Sequence, residues 1–318
     1  MAFSNGTFFS ANDFYRSVFG KKVYKVSVSS GCTCPNRNGT KGWGGCVFCS
    51  ESGSGDFIKD SNAEIEVQLK KGIELISSKI NEPAFIAYFQ SFSNTYGDAK
   101  KLLALFKTAL SIPGVVGLAI GTRPDCLGDE ILHGIAELSK NHFISIELGL
   151  QTTNEKSVEY INRCYPNKEY AEGLRRLKKL CPSVHVVTHV IFGLPGESEK
   201  DMLSTVDYAV QAGTDGIKIS VLHVLRGTKL CHDYENGMFE CMSMEEYFSV
   251  LGKAILRIPE NIVIHRVTGD GPKKILVSPL WTADKKKVLN SMTKYFKENS
   301  IVQGGGFSEK NENLMSLD

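Results

Sequence analysis

Apolar strand segments alternate with helix-period segments along most of this chain, which restricts it to a parallel sheet with right-handed helical crossovers. The first strand is predicted at 22–29, where Tyr24, Val26 and Val28 alternate with Lys25, Ser27 and Ser29. A helix is expected to start near Ser61, which forms a Ser-x-x-Glu capping box with Glu64. Its apolar stripe is Ile65, Leu69, Ile73, Ile76 and Ile80. Further strands are predicted at 84–90, 115–120, 143–149, 184–192 and 216–222. The matching helices fall at 98–110, 128–140, 154–180 (broken near Pro166) and 198–212, the last opening on Ser198-x-x-Asp201. A stretch near 240–257 closes a sixth β–α pair. Such a sheet is either doubly wound or a partly closed relative of the eight-unit barrel. In both, ligands sit at the carboxyl ends of the strands.

Composition narrows the class without naming a partner. The 318 residues are 42% apolar and 23% charged, as in ordinary globular chains, which excludes a disordered, collagen-like or coiled-coil protein. The 37 basic and 35 acidic side chains leave a net charge of +2, too little to announce a nucleic-acid binder through bulk charge. No apolar run approaches the ~18 residues of a membrane helix. The segment from Met1 to Gly20 lacks the features of a secretory leader. A cytoplasmic protein without a membrane partner is expected. After the sixth pair come a possible strand at 261–266, a Gly-rich loop at Thr268–Pro272, a lysine-rich helix at 283–299 and a polar tail at 304–318, expected to be disordered.

Nine cysteines, an odd number, point in a reducing compartment to metal or redox chemistry rather than disulfides. Four of them lie between positions 32 and 49, directly after the first strand. The spacing is Cys34-x11-Cys46-x2-Cys49, with Cys32 nearby. All four thiols could close a structural zinc tetrahedron, or three could hold an iron–sulfur cluster with one iron open. Glycines at 39, 42, 44 and 45 allow the loop to fold tightly around such a group. Its place at a strand end favours the cluster. The other cysteines, at 126, 164, 181, 231 and 241, show no metal spacing and read as structural.

Polar groups recur at the other strand ends. Gln90-Ser-Phe-Ser93-Asn94-Thr95-Tyr96 follows the second strand, with Thr95 or Asp98 able to cap the next helix. Gly121-Thr122-Arg123-Pro-Asp125 follows the third; Arg123 could clasp a carboxylate or phosphate, or pair with Asp125. The fourth strand holds Glu147 and ends near Gln151, and an acid in an apolar strand is costly unless paired. His185 and His189 share one face of the fifth strand, before Gly193-Leu-Pro-Gly-Glu197. His223 and Arg226 follow the sixth strand, and His265, Arg266 and Asp270 lie further on. Trp281 beside Lys285, Lys286 and Lys287 could stack a base, or could be one buried Trp next to a solvated helix face.

Taken together, Thr33 to Arg37 and Gly44 to Cys49 resemble the motifs of radical S-adenosylmethionine (radical SAM) proteins. The branch is the one related to the Elongator catalytic subunit, in its short bacterial form without an acetyltransferase domain. The wide first gap departs from the commoner Cys-x3-Cys-x2-Cys spacing. Asn162-Arg163-Cys164-Tyr165 stands where close relatives usually have Asn-Arg-Gly-His. The resemblance spans residues 15–300. It implies a partial (βα)6 TIM-like barrel with a small C-terminal α/β extension, divided as a core over 1–225, an extension over 226–303 and the tail.

The resemblance also implies a [4Fe–4S] cluster on Cys34, Cys46 and Cys49, with S-adenosylmethionine on the open iron yielding a 5′-deoxyadenosyl radical. Candidate cofactor contacts are Gln90, Ser93, Asn94, Thr122, Glu147, Gln151, His189 and Gly193. Candidate catalytic residues are Arg123, Asp125, His223, Arg226, His265, Arg266 and Asp270. The implied substrate is a tRNA wobble uridine, with 5-carboxymethylaminomethyl-uridine becoming 5-aminomethyl-uridine. One of Arg123, Arg226 and Arg266 would hold the departing carboxylate. A reduced flavodoxin or ferredoxin would supply the electron. The alternatives are the same chemistry on a protein or small metabolite, and a non-catalytic, zinc-stabilised binding protein.

Overall fold

The computed structural model describes residues 3–53, 55–56, 58, 60–77, 83–269 and 271–306. Its principal strands are β1 (Val23–Val28), β2 (Ala84–Phe89), β3 (Val115–Thr122), β4 (Phe143–Gln151), β5 (His185–Phe192), β6 (Gly216–Val221) and β8 (Val263–Arg266). They follow the order β1-β2-β3-β4-β5-β6-β8 in one seven-stranded sheet, and the pairings β1–β2, β2–β3, β3–β4 and β6–β8 are parallel. This is the α/β class with a parallel sheet expected from the alternation, with the seventh strand in place. Two short strands, β7 (Val224–Leu225) and β9 (Leu276–Ser278), pair antiparallel outside it. At two and three residues they are too short to show a period in sequence.

The chain divides into two compact units, one of residues 15–149 and 159–187, the other of residues 1–14, 150–158 and 188–318. In the first, the register places Val26, Phe85, Ala87, Leu118, Ile120, Ile144, Ile146 and Leu148 on one sheet face, all nearly inaccessible. Helices α2 (Ile65–Ser77), α3 (Ala99–Ser111), α4 (Asp129–Ser139) and α6 (Asn167–Leu180) belong to this unit. Gly72 of α2 lets Val26 approach closely, and Phe106 of α3 stacks edge-on to Phe89 at 4.9 Å. The opposite sheet face carries Lys25, Ser27, Tyr88, Ser145 and Glu147. There β3 contributes only Gly117, Ala119 and Gly121, which leaves room above the strand.

The other unit holds α5 (Glu155–Tyr160), α7 (Glu199–Gln211), α8 (Lys229–Glu235), α9 (Met244–Arg257) and α10 (Lys285–Glu298). The capping box predicted at Ser198 and Asp201 is present, and Ser243 with Glu246 forms another ahead of α9. Trp281 packs against Tyr247 and Phe248 at 5.7 and 6.5 Å and donates its indole N–H to the Met242 carbonyl at 3.0 Å. The structure thus favours the buried-Trp reading, while Lys285, Lys286 and Lys287 face solvent.

Several sequence expectations shift. The helix expected from Ser61 begins at Ile65. Residues 61–63 form a turn whose Ser61 and Ala63 carbonyls accept from the Gln68 amide, and no Ser61–Glu64 capping box is formed. Its last stripe residue, Ile80, lies outside the described residues. The segment 154–180 is two helices, α5 and α6. Asn162 and Cys164, at φ of +55° and +61°, break it several residues before Pro166. Helix α1 (Ala11–Phe19) precedes the predicted elements; its Ala11, Phe14, Tyr15, Val18 and Phe19 share one helical face. The tail expected from Gly304 is ordered through Gly306, where Gly304 and Gly306 donate to the Ile255 and Leu256 carbonyls of α9. Residues 307–318 lie outside the described residues. No helix among the described residues is long and apolar enough to cross a membrane.

Candidate functional site

The 11-residue gap between Cys34 and Cys46 is taken up by a small hairpin. Cys34 opens a turn in which Arg37 N–H donates to its carbonyl at 2.9 Å, and Cys46 opens another closed by Cys49 N–H at 3.0 Å. Between them Asn38 bridges Trp43, and Gly39 N–H donates to the Gly42 carbonyl at 3.0 Å. Gly45 N–H donates to the Asn36 carbonyl at 2.8 Å and folds the second turn onto the first. Gly44 and Gly45 sit at φ of +78° and +80°, a backbone region that favours glycine. A Cβ on Gly45 would also stand 2.8 Å from Arg37 Nε.

Donors surround the thiols. Asn36, wholly buried, points its amide N–H at Cys46 Sγ at 3.7 Å and at the Asn162 carbonyl. Ser93 Oγ lies 3.7 Å and Arg123 Nη1 3.9 Å from Cys34 Sγ. Asn162 in turn donates to the Trp43 and Gly45 carbonyls at 3.1 and 2.8 Å, and so anchors the hairpin. The Cys46 thiol is pushed well above its ordinary range, first by its hydrogen bond with Cys49 and then by burial. Arg123 and Asn36 act against that shift. Two of the thiols, Cys34 and Cys46, are met by a guanidinium, an amide and a hydroxyl, which suit an anionic group held by thiolates, because such donors offset its charge. Among the described residues no three or more His, Cys, Asp or Glu side chains are gathered at the spacing of a single bound metal ion.

The neighbouring strand ends belong to the same unit. Arg123 holds Asp125 in a two-pronged pair, Nε and Nη2 each 2.8 Å from a carboxylate oxygen. Its guanidinium lies 4.7 Å from the Tyr165 ring centroid, and the buried Arg163 lies 4.4 Å from the same centroid. Asn94 is wholly buried and serves the loop. Its amide donates to the Phe89, Ser91 and Gly121 carbonyls, and its oxygen accepts from Ser30 at 2.6 Å. Thr122 shares a 2.6 Å hydroxyl contact with Thr95. Gln90 accepts from Ser27 at 3.0 Å. Glu147 takes Lys25 Nζ at 2.5 Å and the Tyr88 hydroxyl at 2.8 Å.

The remaining candidates lie in the other unit. Gln151 ends β4 at φ +63°, His189 is half-buried on β5, and Gly193 follows at φ +85° with Met242 beside it. His223 lies where Gly269 and Gly271 make room: a Cβ on either would come within 2.2 or 2.9 Å of its ring. Arg226 is exposed, while His265 and Arg266 are half-buried on β8, His265 meeting Phe14 edge-on at 6.3 Å. Asp270 lies outside the described residues.

Sequence reasoning passed over Asn36, Asn162 and Lys25. The signal for Asn36 was its place two residues after the first cysteine, in a Cys-Pro-Asn turn. The signal for Lys25 was the cost of Glu147, which demanded a cation on the same sheet face. Asn162 offered no local signal, because it acts on a loop more than a hundred positions away.

A parallel β/α sheet with a cysteine-rich loop after its first strand defines an α/β class whose site lies at the carboxyl ends of the strands. The chain belongs to the radical SAM superfamily, whose model matches residues 30–209, and the Radical_SAM C-terminal domain matches residues 214–298. It is a radical SAM enzyme, and the family implies a [4Fe–4S] cluster and S-adenosylmethionine. The chain is 37% identical over 297 residues to the uncharacterized protein YtqA of Bacillus subtilis, covering 93% of this chain and 92% of that one. It is 24% identical over 180 residues to a tRNA-2-methylthio-N(6)-dimethylallyladenosine synthase of Thermotoga petrophila, covering 56% and 40% respectively. A solved structure of the archaeal Methanocaldococcus infernus Elp3, with its N-terminus deleted, shares the fold at a TM-score of 0.66 and 17% identity. That match covers 88% of this chain, which spans less than two thirds of the Elp3 chain, 64%.

Proposed function

We propose that Cys34, Cys46 and Cys49 hold the [4Fe–4S] cluster and that the enzyme modifies a tRNA wobble uridine, converting 5-carboxymethylaminomethyl-uridine to 5-aminomethyl-uridine. The observation that carries the cluster assignment is the convergence of Asn36, Ser93 and Arg123 on the sulfurs of Cys34 and Cys46. When bound, the cluster and S-adenosylmethionine supply one-electron cleavage of the sulfonium. A reduced flavodoxin or ferredoxin is the electron source in this reading. The protein's own residues fold the loop and donate to the thiolates. Residues 1–225 form the catalytic core and 226–303 the extension, in a cytoplasmic enzyme. The tRNA assignment draws support from the likeness to the Elongator branch and from the tRNA-modifying name of the Thermotoga relative.

The test is mass spectrometry of tRNA nucleosides after anaerobic incubation with reconstituted enzyme, S-adenosylmethionine and reductant. The expected result is loss of 5-carboxymethylaminomethyl-uridine with matching gain of 5-aminomethyl-uridine. Unchanged nucleosides, under conditions where deoxyadenosine accumulates, would move the substrate to a protein or metabolite. Iron-free protein would overturn the cluster assignment itself.

A further inference from the structure

Arg123 is placed to act on the cluster ligand rather than on a substrate. Its fork is taken by Asp125, with Nε and Nη2 each at 2.8 Å, and the remaining nitrogen faces Cys34 Sγ at 3.9 Å. Both side chains of the pair are nearly inaccessible, 9% and 1% exposed. Pro124 and the 3-10 turn Pro124–Cys126 fix the backbone between them, and the Tyr165 ring lies against the guanidinium. A rigid cation in contact with one thiolate, with its counter-ion held on the other side, is an electrostatic device. In a site shielded from water, such a charge acts with little screening.

We propose that Arg123 is a positioning residue that raises the reduction potential of the iron–sulfur group bound through Cys34, and that Asp125 limits how far. The inference rests on the reading of Cys34, Cys46 and Cys49 as ligands. Reduction adds one negative charge to the group. A neighbouring cation stabilises the reduced form, and an anion behind the cation offsets part of that effect. The same geometry withdraws Arg123 from the three arginines considered for the departing carboxylate and leaves Arg226 and Arg266.

The two charges predict shifts of opposite sign. The full chain is reconstituted anaerobically, its iron is counted, and the cluster is titrated by electron paramagnetic resonance without S-adenosylmethionine. Arg123→Gln is expected to lower the reduced-to-oxidised ratio at fixed potential about tenfold, ~59 mV for a one-electron couple. Asp125→Asn is expected to raise it by a similar factor, and the double variant to return to about the parental value. Arg123→Lys keeps the charge while changing the packing, and it should fall between parent and Arg123→Gln. If Arg123→Gln does not fold, the upward shift of Asp125→Asn still reads the sign. Parental potentials in iron-replete single variants, or shifts of both in one direction, overturn the proposal alone. A parent chain that assembles no four-iron signal overturns the ligand reading and the proposal with it.

Discussion

The Lys25 ammonium on β1 lies 2.5 Å from the Glu147 carboxylate on β4, with two strands between them. The span is possible because β3 presents only Gly117, Ala119 and Gly121 on that face, and Tyr88 of β2 adds its hydroxyl to the same carboxylate. The Glu147 side chain is inaccessible and Lys25 is about one quarter exposed, at 0% and 24%. The two ends are therefore not equivalent. Burial works to lower the Lys25 pKa, yet the nearby Glu147 carboxylate holds it above the ordinary lysine value.

Removing the lysine should cost more than removing the acid. Lys25→Met strands a buried carboxylate and is expected to cost about 3–5 kcal/mol. Glu147→Gln leaves a partly solvated ammonium and keeps an acceptor for Tyr88, so about 1–3 kcal/mol is expected. The double variant should recover most of the loss, since neither charge then remains to be left unpaired. Thermal midpoints of the four proteins, compared as a double-mutant cycle, check the order. Additive losses would mean that the pair does not act as a unit.

Gly42 is a tight joint of the cysteine hairpin. A Cβ there would lie 2.4 Å from Asn36 Oδ1 and 2.8 Å from Cys164 Sγ. Asn36 cannot yield without losing its contact with Cys46. Gly42→Ala is therefore expected to reduce iron retained after reconstitution several-fold, with the overall fold preserved. Adding Cys164→Gly relieves only the longer of the two contacts and should not restore the iron. Iron content by colorimetric assay and far-ultraviolet circular dichroism separate the two effects. Full restoration in the double variant would place the obstruction at Cys164.

The strands and most helices were legible because apolar period and capping chemistry are local. Ser198 and Asp201 announce α7 within four residues. The cysteine loop was legible as well, since its clustered cysteines and turn glycines lie within one short stretch. What was not legible depends on pairing across the fold. Nothing near Lys25 in sequence marks it as the partner of Glu147, and nothing near Asn162 marks it as the anchor of Trp43 and Gly45. The Ser61–Glu64 signature shows the converse, a local pattern beside which the helix nonetheless begins only at Ile65.

Glu197 gives a pH signature. One carboxylate oxygen accepts from the Thr152 hydroxyl, and the other is buried with no hydrogen-bond partner. Burial raises its pKa, and the Thr152 and Ser157 hydroxyls only partly oppose this. A carboxyl whose folded pKa lies above its unfolded value of about 4.3 keeps its proton in the folded chain after the unfolded chain has lost it. Stability then falls as pH rises through that interval and levels off above the folded value. Glu197→Gln keeps the acceptor for Thr152 and cannot ionise. Its stability relative to the parent should therefore increase from pH 4 to pH 7. Parallel thermal-midpoint curves for parent and variant across that range measure it. A constant difference would show that the Glu197 carboxyl titrates alike in the folded and unfolded chain.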